Sequence, residues 1–545
     1  MHTLNDLPGK ALYRARLKSA SEMNNWRLGQ ISRKITAHAR LEAGRNPVVF
    51  FNASTRLTNI SLNAAFSFLA SCAVQLSGVP VVHFACHAGL KRCILGTNRL
   101  EPNAAQPCQA CISQSRYLNS NAPTVWLNPS GEVDLEDQLR ELDLDEMSRF
   151  EYGGLPLGDL VLPGLRWALR RHHLVDDEAT RILLRDYILS AYHLSREFST
   201  FLDQVEPEAV VVFNGLMYPE AIASRVARQR GIRVITHEVG MQPFSAFFTE
   251  GEATAYPIDI PQDFELDPAQ NARLDEYLEQ RFQGKFSMAG IRFWPEISGL
   301  DESFLKHAAS FKQIVPVFTN VIFDTSQLHA NTVFPNMFAW LDLVLELIQA
   351  HPETLFVIRA HPDELRPGKQ SQESVQQWVN QKRLLDQPNV VFINSDEYIS
   401  SYELIQRAKF VMVYNSSIGL EASLMGKAVL CGGKARFTQI PTVFFPDAPG
   451  GYRALAEDFL EVDEVDVPAE FSRNARRFLY YQLYRCSLPF DEYLEAHPWP
   501  GFVRLKAFHW QKLTPALSPT MQALVNGIVK GEPFLLEEKP IMEKP

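Results

Sequence analysis

Short apolar runs alternate with longer amphipathic stretches along most of this chain, and polar residues punctuate the ends of the runs. Val48-Val49-Phe50-Phe51, Val81 to Ala85, Ala209 to Phe213 and Arg233-Val234-Ile235 read as buried strands. Helical patterns separate them at 60–77, 133–150, 176–204 and 218–230, and a basic helical stretch at 10–43 precedes them. Gly78-Val79-Pro80 and Gly231 stop two of the helices. The loop 86–130 has no clear period. A second series begins after a helical, loop-rich connector at 262–312. Its strands are Ile314 to Phe318, Leu355 to Ile358, Val390 to Ile393, Phe410 to Val413 and Ala428 to Cys431. Strand–helix alternation of this kind predicts parallel sheets. The chain therefore divides into a Rossmann-like unit over 1–285, a second over 286–465, and a Pro-punctuated helical segment over 466–545 that ends in a frayed tail at Glu537-Glu538-Lys539-Pro540. The fold class is α/β, with two Rossmann-like domains facing one cleft.

Polar residues mark the carboxyl ends of these strands, where open α/β sheets bind ligands. Leu355 to Ile358 runs into Arg359-Ala360-His361-Pro362. Phe410 to Val413 runs through Tyr414 into Asn415-Ser416-Ser417-Ile418-Gly419-Leu420-Glu421, and Gly426-Lys427 ends the helix begun there. Hydroxyls and free backbone N–H groups at a helix start suit a phosphate. Asn320 follows the first strand of the same series. In the first series, Thr236-His237-Glu238-Val239-Gly240 ends a strand and places a carboxylate there. Each of these residues also has a plainer reading. Pro362 starts a helix at its first position, Ser416 and Ser417 cap one, Glu421 is a solvated helix residue, and Glu238 pairs with Arg225 or Arg228.

The two junctions together resemble the capsule-polysaccharide-synthesis glycosyltransferases, a GT-B group that includes bacterial β-Kdo transferases. Bacterial GT-B sialyltransferases look similar at the His-Pro and Ser-Ser pairs. The likeness runs from about Phe318 to Phe437, and Arg476-Arg477-Phe478 and Leu488-Pro489-Phe490 resemble the tail of some members. It implies a nucleotide-sugar donor in the second domain and an acceptor in the first. CMP-sugars are favoured, with a Kdo- or sialic-type acid as the sugar, and UDP- or GDP-sugars are the alternatives. His361, Ser416 and Ser417 would hold the leaving phosphate, with Gly419 in the same turn. Glu421 would take the ribose hydroxyls, and Arg359, Pro362, Asn320 and Asn415 complete the donor set. The acceptor would be a glycan, glycolipid or glycoprotein. Glu238 is the candidate base, with His237 as its understudy. One arginine among Arg476, Arg477 and Arg485 is a candidate for a sugar-acid carboxylate, the competing reading being a helix packed across both domains. A sugar-nucleotide epimerase or hydrolase of similar shape, and a non-catalytic scaffold of a glycan-assembly complex, are the other two readings. Asp143-Leu144-Asp145 matches a metal-binding triplet in letters only, so no catalytic metal is expected.

Composition narrows the partners. The formal net charge is −10 and the basic residues are scattered, against a nucleic-acid partner. No run of about 18 apolar residues occurs, and the start shows no basic-then-apolar pattern. A cytoplasmic protein is expected, with docking at the inner membrane face left open. Cys86, Cys93, Cys108 and Cys111, four of seven cysteines, cluster in the 86–130 loop. A structural zinc is the metal reading and an iron–sulfur cluster the lesser one, with His83 and His87 as spare ligands. Buried thiols are the alternative.

Overall fold

The computed structural model describes residues 7–53, 59–129, 135–283, 299–366 and 368–537, with side chains from residue 13 onward. The boundary expected at 285/286 and the tail from Glu538 lie outside the described residues.

Two sheets form two lobes. The strands of the first are β1 (Val48–Asn52), β2 (Val81–Cys86), β3 (Thr124–Leu127), β4 (Ala209–Phe213), β5 (Arg233–Val239) and β6 (Ser245–Thr249). Those of the second are β7 (Gln313–Phe318), β8 (Thr354–Arg359), β9 (Val390–Ile393), β10 (Val411–Val413) and β11 (Val429–Cys431). β12 (Leu488–Pro489) returns to the first sheet. The orders are β12-β6-β5-β4-β1-β2-β3 and β11-β10-β7-β8-β9. β1 to β5 and β7 to β11 are parallel, while β6 and β12 are antiparallel additions at one edge. The five parallel strands of each sheet follow one order, with the switch in winding direction between β1 and β4 and between β7 and β10. This is the doubly wound arrangement, twice, with the two lobes set across a cleft as in GT-B proteins.

Burial explains the strand sequences. All six residues of β8 and all three of β10 are buried, because helices cover both faces of the sheet. Pro316 lies inside central strand β7, yet β10 pairs only with Val317 and Phe318 just beyond it. The missing N–H therefore interrupts no bond to that neighbour. β3, β6 and β12 were not evident from periodicity, and neither was the hairpin Leu494–Ala496/Val503–Leu505. They are two to five residues long and lie in polar or aromatic stretches. The segment after 466 is accordingly part strand, and it packs back on the first lobe. Leu488, Phe490, Met521 and Leu524 join Phe66 and Leu69 in one core.

The first lobe buries two neutral histidines. His83 accepts from Asn52 Nδ2 at Nδ1 (3.1 Å), and its Nε2 donates to Asn121 Oδ1 (3.0 Å). His237 stacks on Phe248 with ring centroids 5.0 Å apart. Burial pulls His83 down to about 4 and His237 to about 3. Below about pH 6.5 the unfolded chain takes up protons that these sites refuse. The stability present above that pH is therefore lost as pH falls toward 4. His172, also pulled down to about 4, and Glu364, raised to about 8, add contributions of opposite sign, so the two rings are read by difference. Between pH 6 and pH 4 the wild type should lose stability faster than a His83→Gln/His237→Gln variant by about two protons, or ~2.7 kcal/mol per pH unit, in urea unfolding. Equal slopes contradict the neutral, buried state of both rings.

Candidate active site

The switch between β7 and β10 sets the geometry. Neighbouring strands there send their connections to opposite faces and leave a gap at their carboxyl ends. Asn320 follows β7 and Asn415 follows β10 by two residues. Asn320 Nδ2 donates to Asn415 Oδ1 at 2.7 Å across this gap. Gln327 Nε2 donates to the same oxygen at 3.2 Å, and Asn415 Nδ2 donates to Ser326 Oγ at 3.3 Å. These bonds fix the turn that carries Ser416 and Ser417 into the helix Ile418–Leu424. Ser417 is in helical backbone conformation and its side chain makes no cap, so the capping role expected of it is not made. Among the described residues no bond is made by either serine hydroxyl.

His361 stands opposite. Its Nδ1 accepts from the Asp363 backbone N–H at 3.2 Å and caps the turn Pro362–Leu365. Burial lowers its pKa against the opposing pull of Asp363 and Asp324. The ring is thus neutral at neutral pH, with the proton on Nε2 as a donor. A cleft of about 600 Å³ opens between the lobes here, and Asn320, His361, Asn415, Ser416 and Ser417 all line it. Met241, Thr254 and Pro257 of the first lobe form the opposite wall, and Leu479 and Gln482 close one side.

Other expected donor residues are placed differently. Arg359 is 8% exposed and not part of the cleft wall; burial pulls its pKa to about 10 and its Nη1 has no hydrogen-bond partner. Pro362 opens the turn Pro362–Leu365 and is not among the residues lining the cleft. Gly419 is a packing glycine, because a Cβ there would meet Phe437 and Val413 at 2.9 Å. Glu421 does line the cleft, but its carboxylate is engaged. Arg281 of the helix Pro268–Phe282 donates to it at 2.5 Å, and the Tyr402 hydroxyl donates to its other oxygen. Burial alone would lower the Arg281 pKa, and the Glu421 charge reverses that shift upward.

In the first lobe Glu238 and His237 part company, since adjacent strand residues point to opposite faces. His237 is buried with Nδ1 unpartnered, which removes it from the cleft. Glu238 is half-buried at the carboxyl end of β5 and, like Arg359, is not among the residues lining the cleft. It accepts from Asn214 Nδ2 (3.0 Å), Asn63 Nδ2 (3.3 Å) and the Val239 N–H (2.9 Å), and among the described residues it has no arginine ion pair. Burial raises its pKa, opposed by those bonds and by the charge of Arg436. Arg436 comes from the second lobe. Its guanidinium lies over the Tyr256 ring, 3.6 Å from the centroid, and lines the cleft. The Tyr256 hydroxyl in turn donates to the Val239 carbonyl. Arg436 therefore links the candidate base to the donor side.

Arg436 and Lys434 were missed from the sequence. The signal was Gly432-Gly433 after β11, followed by two basic residues. A Cβ at Gly432 would strike Trp340 at 2.5 Å, so the chain crosses close over that ring and delivers both cations to the cleft. The C-terminal arginines do not reach it. Arg477 donates to the carbonyls of Pro261, Gln262 and Phe264, Arg476 holds Asn271 and Asp275, and Arg485 binds the Leu536 carbonyl. The helix Ala469–Tyr480 is thus the packing helix of the plainer reading. Asp143 is a helix cap in a capping box with Glu146.

The four cysteines do converge. Cys86, Cys93, Cys108 and Cys111 line one apolar cavity of about 30 Å³, with Cys108 and Cys111 on the helix Cys108–Leu118. Among the described residues, however, no three His, Cys, Asp or Glu side chains are disposed to hold a metal ion. Burial raises the pKa of Cys86 and Cys108, and that of Cys93 to about 12. The four side chains thus share one cavity, and the zinc expected there is not shown. No helix among the described residues is long and apolar enough to cross a membrane.

Two doubly wound lobes across one cleft are the geometry beside which the comparisons stand. Residues 298–440 match the family model described as "Capsule polysaccharide biosynthesis protein", a span that includes both motif junctions. Protein FixF of Sinorhizobium fredii (strain NBRC 101917 / NGR234) is 27% identical over 229 residues, covering 41% of this chain and 48% of that protein. The chain thus spans about half the length of this curated relative. Among solved structures, the β-Kdo 2,4 transferase of Thermosulfurimonas dismutans KpsC matches with a TM-score of 0.35 and 12% identity, over 52% of this chain and 80% of its own. The β-Kdo 2,7 transferase of the same protein matches with a TM-score of 0.33 and 16% identity, over 54% and 84%.

The Arg281–Glu421 pair is 11% and 7% exposed at its side chains. Removing one partner strands the other charge. Arg281→Met should cost on the order of 3 kcal/mol, and Arg281→Met/Glu421→Gln should regain part of that loss. A urea double-mutant cycle measures both. Strictly additive losses would show that the two side chains do not interact.

Proposed function

We propose that this chain is a glycosyltransferase of capsule or related surface-glycan synthesis that moves a sugar from a nucleotide donor to a glycan, glycolipid or glycoprotein acceptor. The observation that carries the reading is the convergence of His361, Ser416 and Ser417 on one cleft between the lobes. The donor phosphate would take the Nε2–H of His361 and the two unpartnered serine hydroxyls. Lys434 and Arg436 would offset its charge, with no metal ion required. A CMP-sugar is the favoured donor, its sugar a Kdo- or sialic-type acid. UDP- and GDP-sugars are the alternatives.

The reaction then runs as a displacement. The acceptor hydroxyl oxygen bonds to the anomeric carbon while its proton passes to Glu238. The anomeric C–O bond to phosphate breaks, and its electron pair stays on the phosphate oxygen. Glu238 suits the proton because burial raises its pKa while Asn63 and Asn214 keep it oriented. Work at the inner face of the membrane fits an acceptor built there.

A thermal-shift series with CMP, UDP and GDP tests the donor half. The cognate nucleotide should raise the melting temperature by mass action, and His361→Ala and Ser416→Ala should each weaken that shift. Glu238→Gln should keep nucleotide binding and lower acceptor-dependent nucleotide release by on the order of 10²-fold. The wild-type rate should climb with pH through an acid limb above the ordinary carboxylate range, and excess EDTA should leave it unchanged. Normal release by Glu238→Gln would move the base elsewhere.

A further inference from the structure

The helix Leu7–His38 lies on the first lobe and turns one stripe of its surface inward. Asn24, Leu28, Ile31 and Ile35 are buried along that stripe. They face the helices Leu62–Leu76 and Cys108–Leu118 and the hairpin Leu494–Ala496/Val503–Leu505. Asn24 fixes the docking: its Nδ2 donates to the Val503 carbonyl (3.0 Å) and its Oδ1 accepts the Leu505 N–H (3.0 Å). Arg27 donates to the Leu505 carbonyl.

The outward face runs against the charge of the rest of the chain. Seven lysines and arginines and one acid, Glu22, fall between residues 13 and 41, although the formal net charge of the whole is −10. Arg27 alone of the seven is partly buried, and the others are exposed. Lys18 stands 3.8 Å from Glu22. Arg16, Arg33 and Lys34 make no side-chain hydrogen bond or ion pair among the described residues. On the same face Trp26 and Met23 are 59% and 45% exposed. Helical geometry puts Trp26 and Arg33 on one line two turns apart, with Met23 and Lys34 together on its flank. A tryptophan ring and a thioether are thus held in water between cations.

We infer that this face is a docking surface for a bilayer that carries anionic headgroups. Each lysine or arginine near such a surface strengthens binding by about fivefold, through charge alone. A tryptophan settles at the headgroup level, with its ring in the apolar layer and its N–H in the wet one. A helix that combines the two lies flat in the interface. The face is poorly made for a protein partner. Stable protein interfaces bury about 800 Å² a side around an apolar centre and are depleted in lysine, whereas the apolar centre here is two side chains. The helix belongs to the lobe proposed to hold the acceptor, so docking would bring that lobe to a lipid-linked glycan. The surface extends the membrane placement proposed above and needs neither the donor nor the transfer step.

Co-sedimentation of the full chain with two sets of vesicles tests it: phosphatidylcholine alone, and phosphatidylcholine with about a third phosphatidylglycerol. Only the anionic set should carry the protein down, and salt at about 0.5 M should release most of it. Arg33→Gln/Lys34→Gln should weaken vesicle binding by on the order of tenfold or more. Trp26→Ser should weaken it as well, whereas Arg33→Lys should bind like the wild type. The melting temperatures of all three should match the wild type, because the altered side chains are exposed. Equal sedimentation with both vesicle sets overturns the inference, and so does undiminished binding by Arg33→Gln/Lys34→Gln. Single-stranded RNA bound as tightly as the anionic vesicles, with the same loss in that variant, would make the face a nucleic-acid site and overturn it too. A dimer in sedimentation velocity that the variant dissociates would make it a contact between copies, with the same consequence. Failure of vesicle binding leaves the transfer reading standing, and absence of any nucleotide thermal shift leaves the surface standing.

Discussion

The bond between Asn320 and Asn415 depends on one topological constraint, the reversal of winding between β7 and β10. Parallel strands that send their connections to opposite faces cannot fill the space above their own ends. Short polar side chains bridge that space, and here an amide pair does so at 2.7 Å. The position of Ser416 and Ser417 follows from that bridge. The first sheet repeats the device at β1 and β4. Asn52 there holds Ser67, Asn119 and His83, while Asn214 holds Glu238 and the turn Leu216–Met217. In one lobe the amides position hydroxyls, and in the other they position a carboxylate.

Contacts between the lobes are strongly directional, and besides the His172 and His173 N–H groups on Glu373 and the Gln372 N–H on the Arg170 carbonyl they include three charged or polar pairs. Arg281 reaches Glu421, Arg436 reaches Tyr256 and the field of Glu238, and His329 bonds Thr254 at 2.7 Å. Arg281, Glu421, Arg436, His329 and Thr254 line the cleft. Arg436 is one of these contacts and, in the proposed reaction, would also face the donor phosphate, so ligand binding and closure would draw on one charge. Arg436 lowers the cost of ionising Glu238 from across the cleft, and a phosphate arriving beside it would compete for that influence.

Much of this was legible in the sequence because the strands are apolar runs with abrupt polar ends. Val411–Val413 and Thr354–Arg359 could be found, and so could the residues that follow them. What failed was direction. Strand alternation sends His237 and Glu238 to opposite faces, and no local pattern says which face is the cleft. Arg359 and Gly419 were misplaced for the same reason: a residue at a junction can point under the sheet as readily as over it. The short strands after residue 487 carry too few residues for a period to show. The glycine pair before Lys434 was readable in principle, but its meaning needed the Trp340 ring beneath it.

The chain passes between the lobes twice, once near 258–283 and again near 469–488. Arg473, Arg476 and Arg477 lash the second crossing to the first through Glu265, Asn271, Asp275 and three backbone carbonyls. Two connections bound side by side act as a single pin. Any movement that parted the two crossings would have to break both salt bridges and the carbonyl bonds together. The helix Ile418–Leu424 packs directly against the helix Ala469–Tyr480 that forms half of the pin. The turn that carries the serines is thereby tied, through one helix, to both crossings of the chain.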